Sequence, residues 1–248
     1  MIRSVTLSGT VELGEHVVQR FAKSLSGRVL VSGDDGYDDA RTVWNRTIDR
    51  RPALIARCAG ADDVVAAVRF AREHDLLISV RGGGHNVTGN AVCDGGLMID
   101  LSPMKDARVD GARRRLAAGP GLTWGELDGA TQRHGLATTG GIISSTGVAG
   151  LTLGGGHGWL MRQHGLACDN LVGADVVTSD GARLRASADE NPELFWGLRG
   201  GGGNFGIVTS FEFRLYPLGT ILAGLFLHPL SRAREVFDLY RDFAPLAP

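Results

Sequence analysis

Residues 51–89, RPALIARCAGADDVVAAVRFAREHDLLISVRGGGHNVTG, decide the fold. Residues 53–58 form a short apolar run of the kind that makes a buried strand. Over 61–75, Val64, Val65, Val68 and Ala71 recur at helical spacing, and Asp62 and Asp63 stand where carboxylates favour a helix N-terminus. Residues 76–80 are a second apolar run. A strand–helix–strand unit of this length predicts two parallel strands. The second strand runs straight into Arg81-Gly82-Gly83-Gly84-His85-Asn86.

Working outward, Val11, Val17, Val18, Phe21 and Leu25 predict a helix over 11–26. Residues 96–101 read as a strand. Residues 106–110 and 115–118 read as a hairpin around Gly111. Thr123 followed by Glu126 has capping-box spacing and predicts a helix over 124–134. Residues 171–178 and 183–187 predict a hairpin across Ser179-Asp180-Gly181. A helix over 191–198, strands over 207–215 and 221–228, and a helix over 232–243 complete the pass. No repeat and no clear linker interrupts it.

Glycine is the abnormal residue. There are 37 in 248, about twice the usual ~7%. They cluster at 82–84, 154–158 and 200–206, beside element ends. Tight turns are one explanation. Successive main-chain N–H groups that accept an anion are the other, and three clusters favour a phosphate-bearing or dinucleotide ligand. Gly201, Gly203 and Gly206 match GxGxxG, but they follow a helix and open a strand, the reverse of a Rossmann turn. No P-loop is present. His85 is either a hydrogen-bonded structural imidazole or an accessible nucleophile at a strand end. Arg81 is either an ion-paired strand-end residue or a phosphate ligand.

Other classes drop out. Lys plus Arg number 26 and Asp plus Glu 27, for a net charge of -1, so there is no basic field for nucleic acid or a membrane surface. Cys58, Cys93 and Cys168 are too scattered for a disulfide framework or a cysteine zinc site. His157, His164 and Cys168 fit no standard metal spacing, and no GxSxG elbow marks a hydrolase. The N-terminus lacks an apolar signal core and the run 221–227 is too short to span a bilayer. The expectation is a soluble protein of a reducing compartment, the cytoplasm.

Residues 51–89, together with TGVAGLTLGGGHGWLMRQHGLACDNLVGADVVTSDG (146–181) and NPELFWGLRGGGGNFGIVTSFEFRLYPL (191–218), resemble the FAD-binding domain of the vanillyl-alcohol oxidase superfamily. Within it they resemble the berberine-bridge-enzyme-like oxidoreductases, and among those the bacterial members of the 6-hydroxy-D-nicotine oxidase kind. The resemblance covers roughly residues 40–220. It implies an α+β, PCMH-type FAD-binding fold of two α/β subdomains clasping FAD. Those subdomains would span about 50–115 and 116–217 of a domain at 49–218. A helical segment (1–48) would precede it and the start of a substrate domain (219–248) would follow.

The resemblance also implies roles. Arg81, Gly82, Gly83, Gly84, His85 and Asn86, with Gly89 closing the stretch, would wrap the FAD diphosphate. His85 stands where relatives bond a histidine to the flavin 8α-methyl carbon. Thr146, Gly147, Gly150, Gly154, Gly155, Gly156 and Gly158 would form the second FAD-contacting stretch. Asn170 and Val176 would line the adenine side, with Ile207 and Val208 on a strand touching the cofactor. Bicovalent relatives carry a cysteine where this chain has Ile143, so no cysteinyl link is expected. Thr146 replaces the valine or leucine held to tune oxygen access.

The implied activity is hydride transfer from a small alcohol, amine or sugar-like substrate to flavin, with reoxidation by oxygen. Family members are nearly twice as long. Their tyrosine and acidic base lie beyond position 248, so no catalytic side chain is assigned here. The alternative expectation is a truncated FAD-binding module, or half of a split flavoenzyme whose remaining half or partner chain covers exposed apolar surface.

Overall fold

The computed structural model describes residues 1–247. The chain opens with an antiparallel hairpin of β1 (Ile2–Val5) and β2 (Thr10–Leu13), then α1 (Glu15–Ser24). The helix predicted over 11–26 therefore begins later. Thr10–Leu13 is held in the ladder with β1, and Gly14 breaks the two elements apart with extended backbone.

A four-stranded sheet follows, built from β3 (Arg28–Leu30), β4 (Leu54–Arg57), β5 (Ile78–Arg81) and β6 (Leu97–Asp100), in the order β3-β4-β6-β5. The helix α2 (Tyr37–Arg41) lies between β3 and β4 in sequence, and α3 (Ala61–Glu73) between β4 and β5. The predicted strand–helix–strand unit is present, but its strands are not neighbours. Both pair in parallel with β6, which inserts between them. Leu54, Ile55 and Ala56 of β4 and Leu97, Met98 and Ile99 of β6 are fully buried. Two central strands buried on both faces are expected for parallel strands covered on each side. Leu54, Ala56, Leu97 and Ile99 pack with Val64, Ala67, Val68 and Ala71 of α3 and with Val18 and Phe21 of α1. On the opposite face Ile55 and Met98 pack with Leu30, Tyr37, Ala40 and Val43.

The second sheet has the order β11-β10-β12-β8-β7 and is antiparallel throughout. Its strands are β7 (Ala107–Asp110), β8 (Arg115–Ala118), β10 (Leu171–Val177), β11 (Arg183–Ser187) and β12 (Ile207–Arg214). Between β8 and β10 run α4 (Trp124–Gln132), β9 (Leu136–Ala137), α5 (Val148–Leu153) and α6 (Met161–His164). Between β11 and β12 lies α7 (Pro192–Leu198), and β13 (Tyr216–Pro217) returns to pair with β9. Trp124, Leu116, Phe211 and Phe213 are the large buried side chains of this core. Thr123 caps α4 as predicted: its N–H donates to Glu126 Oε2 at 2.9 Å and its hydroxyl to the same oxygen at 3.0 Å. The two sheets meet at α3, whose cluster takes in Val177 of β10 and Ile207 of β12.

The boundaries differ from those expected. β3 belongs to the first sheet, so residues 1–48 are not a separate helical segment. The β7–β8 hairpin joins the second sheet through β8–β12 pairing, which moves the first boundary from about 115 to the loop after Asp100. Met1–Leu218 form one compact unit and the chain from Gly219 forms another. In the latter the strand predicted over 221–228 is absent, because an apolar run without a ladder partner cannot satisfy its main-chain groups as a strand. It contains α8 (Ala233–Phe243), whose Phe237, Tyr240 and Phe243 are exposed. Among the described residues no helix is long and apolar enough to cross a membrane.

Candidate functional site

The loop after β5 and the loop before α5 cross each other. The crossing is close: a methyl group on Gly83 would fall 2.4 Å from Gly147 Cα, and one on Gly147 would fall 2.6 Å from Gly83 Cα. Only glycine permits main chain to pass main chain at this range. The second loop is fixed to α4 through Trp124 N–H to Thr146 O (2.9 Å), Gly125 N–H to Ser144 O (2.9 Å) and Val148 N–H to Leu122 O (2.9 Å). The first is fixed on its other side by Trp44 N–H to Gly84 O (3.0 Å) and by Asn45 Nδ2 to Val87 O (2.8 Å). Gly84 itself has φ +70°, which turns the chain sharply between β5 and His85.

The crossing leaves main-chain donors without acceptors. Among the described residues, none of the N–H groups of Gly82, Gly83, Gly84, His85 and Asn86 donates to a protein atom. Five successive free N–H groups on a glycine turn form a concave site for an anion, diphosphate among them. Apart from Gly84 these residues are half-buried or exposed, so their N–H groups are open to an anion that approaches the turn.

His85 stands at the end of this turn, half-buried. Its Nε2 lies 3.3 Å from Ser145 Oγ, and its ring stacks on Trp44 with centroids 5.3 Å apart and planes 23° apart. Burial lowers its pKa below the usual histidine value, against an opposing pull from the Ser145 main chain. The lowered pKa favours the neutral imidazole, which keeps a lone pair. Ser145 and Trp44 were not legible as site residues. Ser145 lies 60 positions from His85, and Trp44 sits in an irregular stretch with no motif around it.

The other expected site residues fall into three groups. The Arg81 side chain runs alongside Gly84, with its Nε buried and without a hydrogen-bond partner, while its Nη1 donates to Ala40 O and lies 3.9 Å from the fully buried Asp100 carboxylate, which also takes Arg57 at 3.2 Å. Of its two sequence readings, the ion-paired strand-end residue describes this arrangement. Asn86 is engaged locally, its Oδ1 accepting from Thr88 Oγ1 (2.8 Å) and Asn90 N–H (2.9 Å). Gly89 packs on Ile48.

In the second stretch, Thr146 is half-buried beside Gly147. Gly150 and Gly154 lie one turn apart on the exposed face of α5 and beyond its end, and nothing approaches Gly150 within 4 Å of an added methyl. Gly155 is buried in the turn. Gly156 packs on Leu151 and Ala167, and Gly158 on the Gly140 carbonyl.

The third group is internal. Asn170 is fully buried and its amide donates to Thr139 Oγ1 (3.3 Å), His164 O (3.0 Å) and Leu166 O (2.8 Å). The side chains of Val176, Ile207 and Val208 are buried in the two cores. Any contact these three make with a ligand runs through main chain. Ile207 and Val208 have such main chain to offer, since β8 pairs only with Phe211–Arg214 and leaves that edge of β12 free. The third glycine cluster is a turn: Gly197 and Gly201 pack on the Phe205 ring, and Gly202 N–H donates to Leu153 O at 2.9 Å. Among the described residues no group of His, Cys, Asp and Glu could hold a metal ion.

Residues 52–187 match the FAD binding domain family. The (R)-6-hydroxynicotine oxidase of Paenarthrobacter nicotinovorans is 44% identical over 195 residues, which are 79% of this chain and 43% of that one. The crystal structure of 6-hydroxy-D-nicotine oxidase from Arthrobacter nicotinovorans superposes with a TM-score of 0.78 at 42% identity, over 83% of this chain and 44% of that one. Glucooligosaccharide oxidase from Acremonium strictum, described as carrying 6-S-cysteinyl, 8α-N1-histidyl FAD, superposes with a TM-score of 0.74 at 34% identity, over 81% and 42%. The chain spans about half the length of the curated relatives it matches, 42% to 50%. The residues present fit FAD: the free N–H groups suit its diphosphate, and Gly83 and Gly147 put no side chain between it and the crossing main chain. The chain belongs to the FAD binding domain family, in its PCMH-type, berberine-bridge-enzyme-like branch, of which it carries the FAD-binding part.

Proposed function

We propose that the chain holds FAD at the crossing of residues 81–86 and 144–150 through a single covalent bond from His85, and serves the oxidation of a small alcohol, amine or sugar-like molecule with oxygen as the final acceptor. The observation that carries this is the run of five unpaired N–H groups over residues 82–86, which includes the half-buried His85. When bound, the flavin takes a hydride from the substrate and passes the electrons on.

The rest falls to the chain. The N–H groups at 82–86 would hold the diphosphate, with Arg81 lying behind Gly84 and its Nη1 engaged by Ala40 O. Burial keeps His85 uncharged and nucleophilic. Ile143, exposed three residues before Thr146, offers no thiol, so one bond rather than two is formed. Thr146 places a small polar side chain beside the crossing, where its hydroxyl would bias how oxygen reaches the ring.

The test is anaerobic. The flavin-loaded chain is mixed with a panel of alcohols, amines and oligosaccharides, and the yellow colour is followed before and after air is admitted. Bleaching by one class, reversed by air with peroxide formed, supports the oxidase. A yellow protein bleached by no class, yet reduced by dithionite, supports a second reading favoured by the matched share of the relatives: an FAD-binding module without turnover of its own.

A further inference from the structure

We propose that Asp100 is a positioning residue for the ligand turn: it anchors the Arg81 side chain beneath Gly84, and that side chain is the floor on which residues 82–86 keep their N–H groups open. This deepens the reading above. It rests on the diphosphate part of that reading and not on the covalent bond.

The register of the first sheet creates the arrangement. In the parallel ladders Asp100 of β6 lies opposite Arg57 of β4 on one side and Arg81 of β5 on the other. Each is the last residue of its strand, and Arg81 stands immediately before the glycine turn. Asp100 is fully buried, so its carboxylate needs partners for both oxygens. Oδ1 accepts from Ser102 N–H at 3.0 Å and lies 3.9 Å from Arg81 Nη1. Oδ2 accepts from Ser102 Oγ at 2.9 Å and from Arg57 Nε at 3.2 Å. The two bonds from Ser102 fix the orientation of the carboxylate itself.

Arg81 extends from this anchor under the turn. Its Nη1 also donates to Ala40 O, on α2, and its Nε is buried without a hydrogen-bond partner. A methyl group on Gly84 would fall 3.2 Å from that Nε and 3.9 Å from Arg81 Cγ. The arginine therefore fills the space that a side chain would take, and its shaft supports the main chain by contact as well as by charge. Leu101 N–H to Arg81 O at 2.8 Å and Trp44 N–H to Gly84 O at 3.0 Å tie down carbonyls on either side of the turn. The N–H groups at 82–86 have no such ties, so their direction depends on what lies behind them.

Charge and position make opposite predictions. Two guanidiniums and one carboxylate leave this cluster with one net positive charge. If the cluster acted only by attracting an anion, Asp100→Asn would raise that charge and tighten binding. If Asp100 acts by holding Arg81 in place, the same substitution releases the guanidinium, removes the floor and weakens binding.

The probe is ADP, which carries a diphosphate but no flavin ring and so forms no bond to His85. The full chain, purified without flavin, is titrated calorimetrically well below its melting temperature, and the melt is recorded for every variant. Asp100→Asn should bind ADP at least about tenfold more weakly than wild type, the loss of one hydrogen bond to a charged oxygen. Arg81→Lys keeps the charge but not the planar fork. It should weaken ADP binding to a similar extent, and it carries the test if Asp100→Asn does not fold. Asp100→Asn that binds ADP as tightly as wild type, or more tightly, overturns the inference and leaves the FAD reading standing, as does Arg81→Lys with wild-type affinity. Lowered melting temperatures with unchanged ADP affinity overturn it too, since Asp100 then serves only the stability of the sheet. A wild-type chain that takes up neither ADP nor FAD overturns both readings.

Discussion

Replacing Gly83 by alanine tests the crossing. The added methyl falls 2.4 Å from Gly147 Cα and 2.5 Å from Gly147 N. Ordinary carbon contact begins near 3.4 Å, so the two loops must part by roughly 1 Å. Both obstacles are main chain, and neither can rotate aside. The second loop is held by three main-chain bonds to α4 and its preceding turn, so most of the movement falls on residues 82–86. Overpacking of this kind costs about 1–3 kcal/mol, which for a chain of this size lowers Tm by roughly 2–4 °C per kcal/mol. A shift of that size also misaligns the five free N–H groups. Losing one bond to a charged phosphate oxygen weakens FAD binding by at least about tenfold. The assays are a thermal melt without flavin and an FAD titration. Gly147→Ala should match Gly83→Ala, and the double variant should lose less than the sum, because the loops part once. If Gly83→Ala melts with wild type and binds FAD equally, the crossing is not what shapes the site.

Four further outcomes are expected. Gly150→Ala meets nothing within 4 Å, so it should leave the flavin-free chain as stable as wild type or slightly more so, while weakening FAD binding if the open α5 face carries the ring. Asn170→Ala removes three hydrogen bonds made by a fully buried amide, one of them to the buried Thr139 hydroxyl, and should lower stability by at least about 2 kcal/mol in urea melts. His85 has a folded pKa below its unfolded value near 6.5, so the unfolded state binds more protons between the two. Its stabilising contribution is complete above about pH 6.5 and is lost as the pH falls through the folded value; His85→Ala should remove that slope from melts without flavin. Asp128 runs the other way, its pKa pushed up to about 6 by burial: stability falls as pH rises toward 6, and Asp128→Asn should raise Tm at neutral pH but not in acid.

Local chemistry was legible in the sequence. The Asp62–Asp63 helix start, the Thr123–Glu126 cap, both hairpins of the second sheet and the strand leading into RGGGHN were readable because each depends on neighbours within a few residues. Long-range pairings were not. Nothing in residues 51–89 says that β6 will insert between β4 and β5, and nothing in either glycine run says that Gly83 and Gly147 will touch. Arg81 looked equally suited to phosphate or to a carboxylate; Asp100, reached only through sheet pairing, decides its direction. Ile221–His228 read as a strand on apolar content, yet a strand exists only where a partner offers a ladder. The site residue His85 was legible from its motif, whereas Trp44 and Ser145 meet it only through the fold.

The central claim is that the RGGGHN turn holds FAD and His85 bonds it. It is tested most directly by purifying the chain, recording its visible spectrum, unfolding it, and locating any added mass by peptide mapping. The account predicts a yellow protein whose FAD-sized increment survives unfolding and maps to the peptide carrying His85, with none on the peptide carrying Ile143. A colourless chain that takes up no added FAD, or an increment on any residue other than His85, would contradict it.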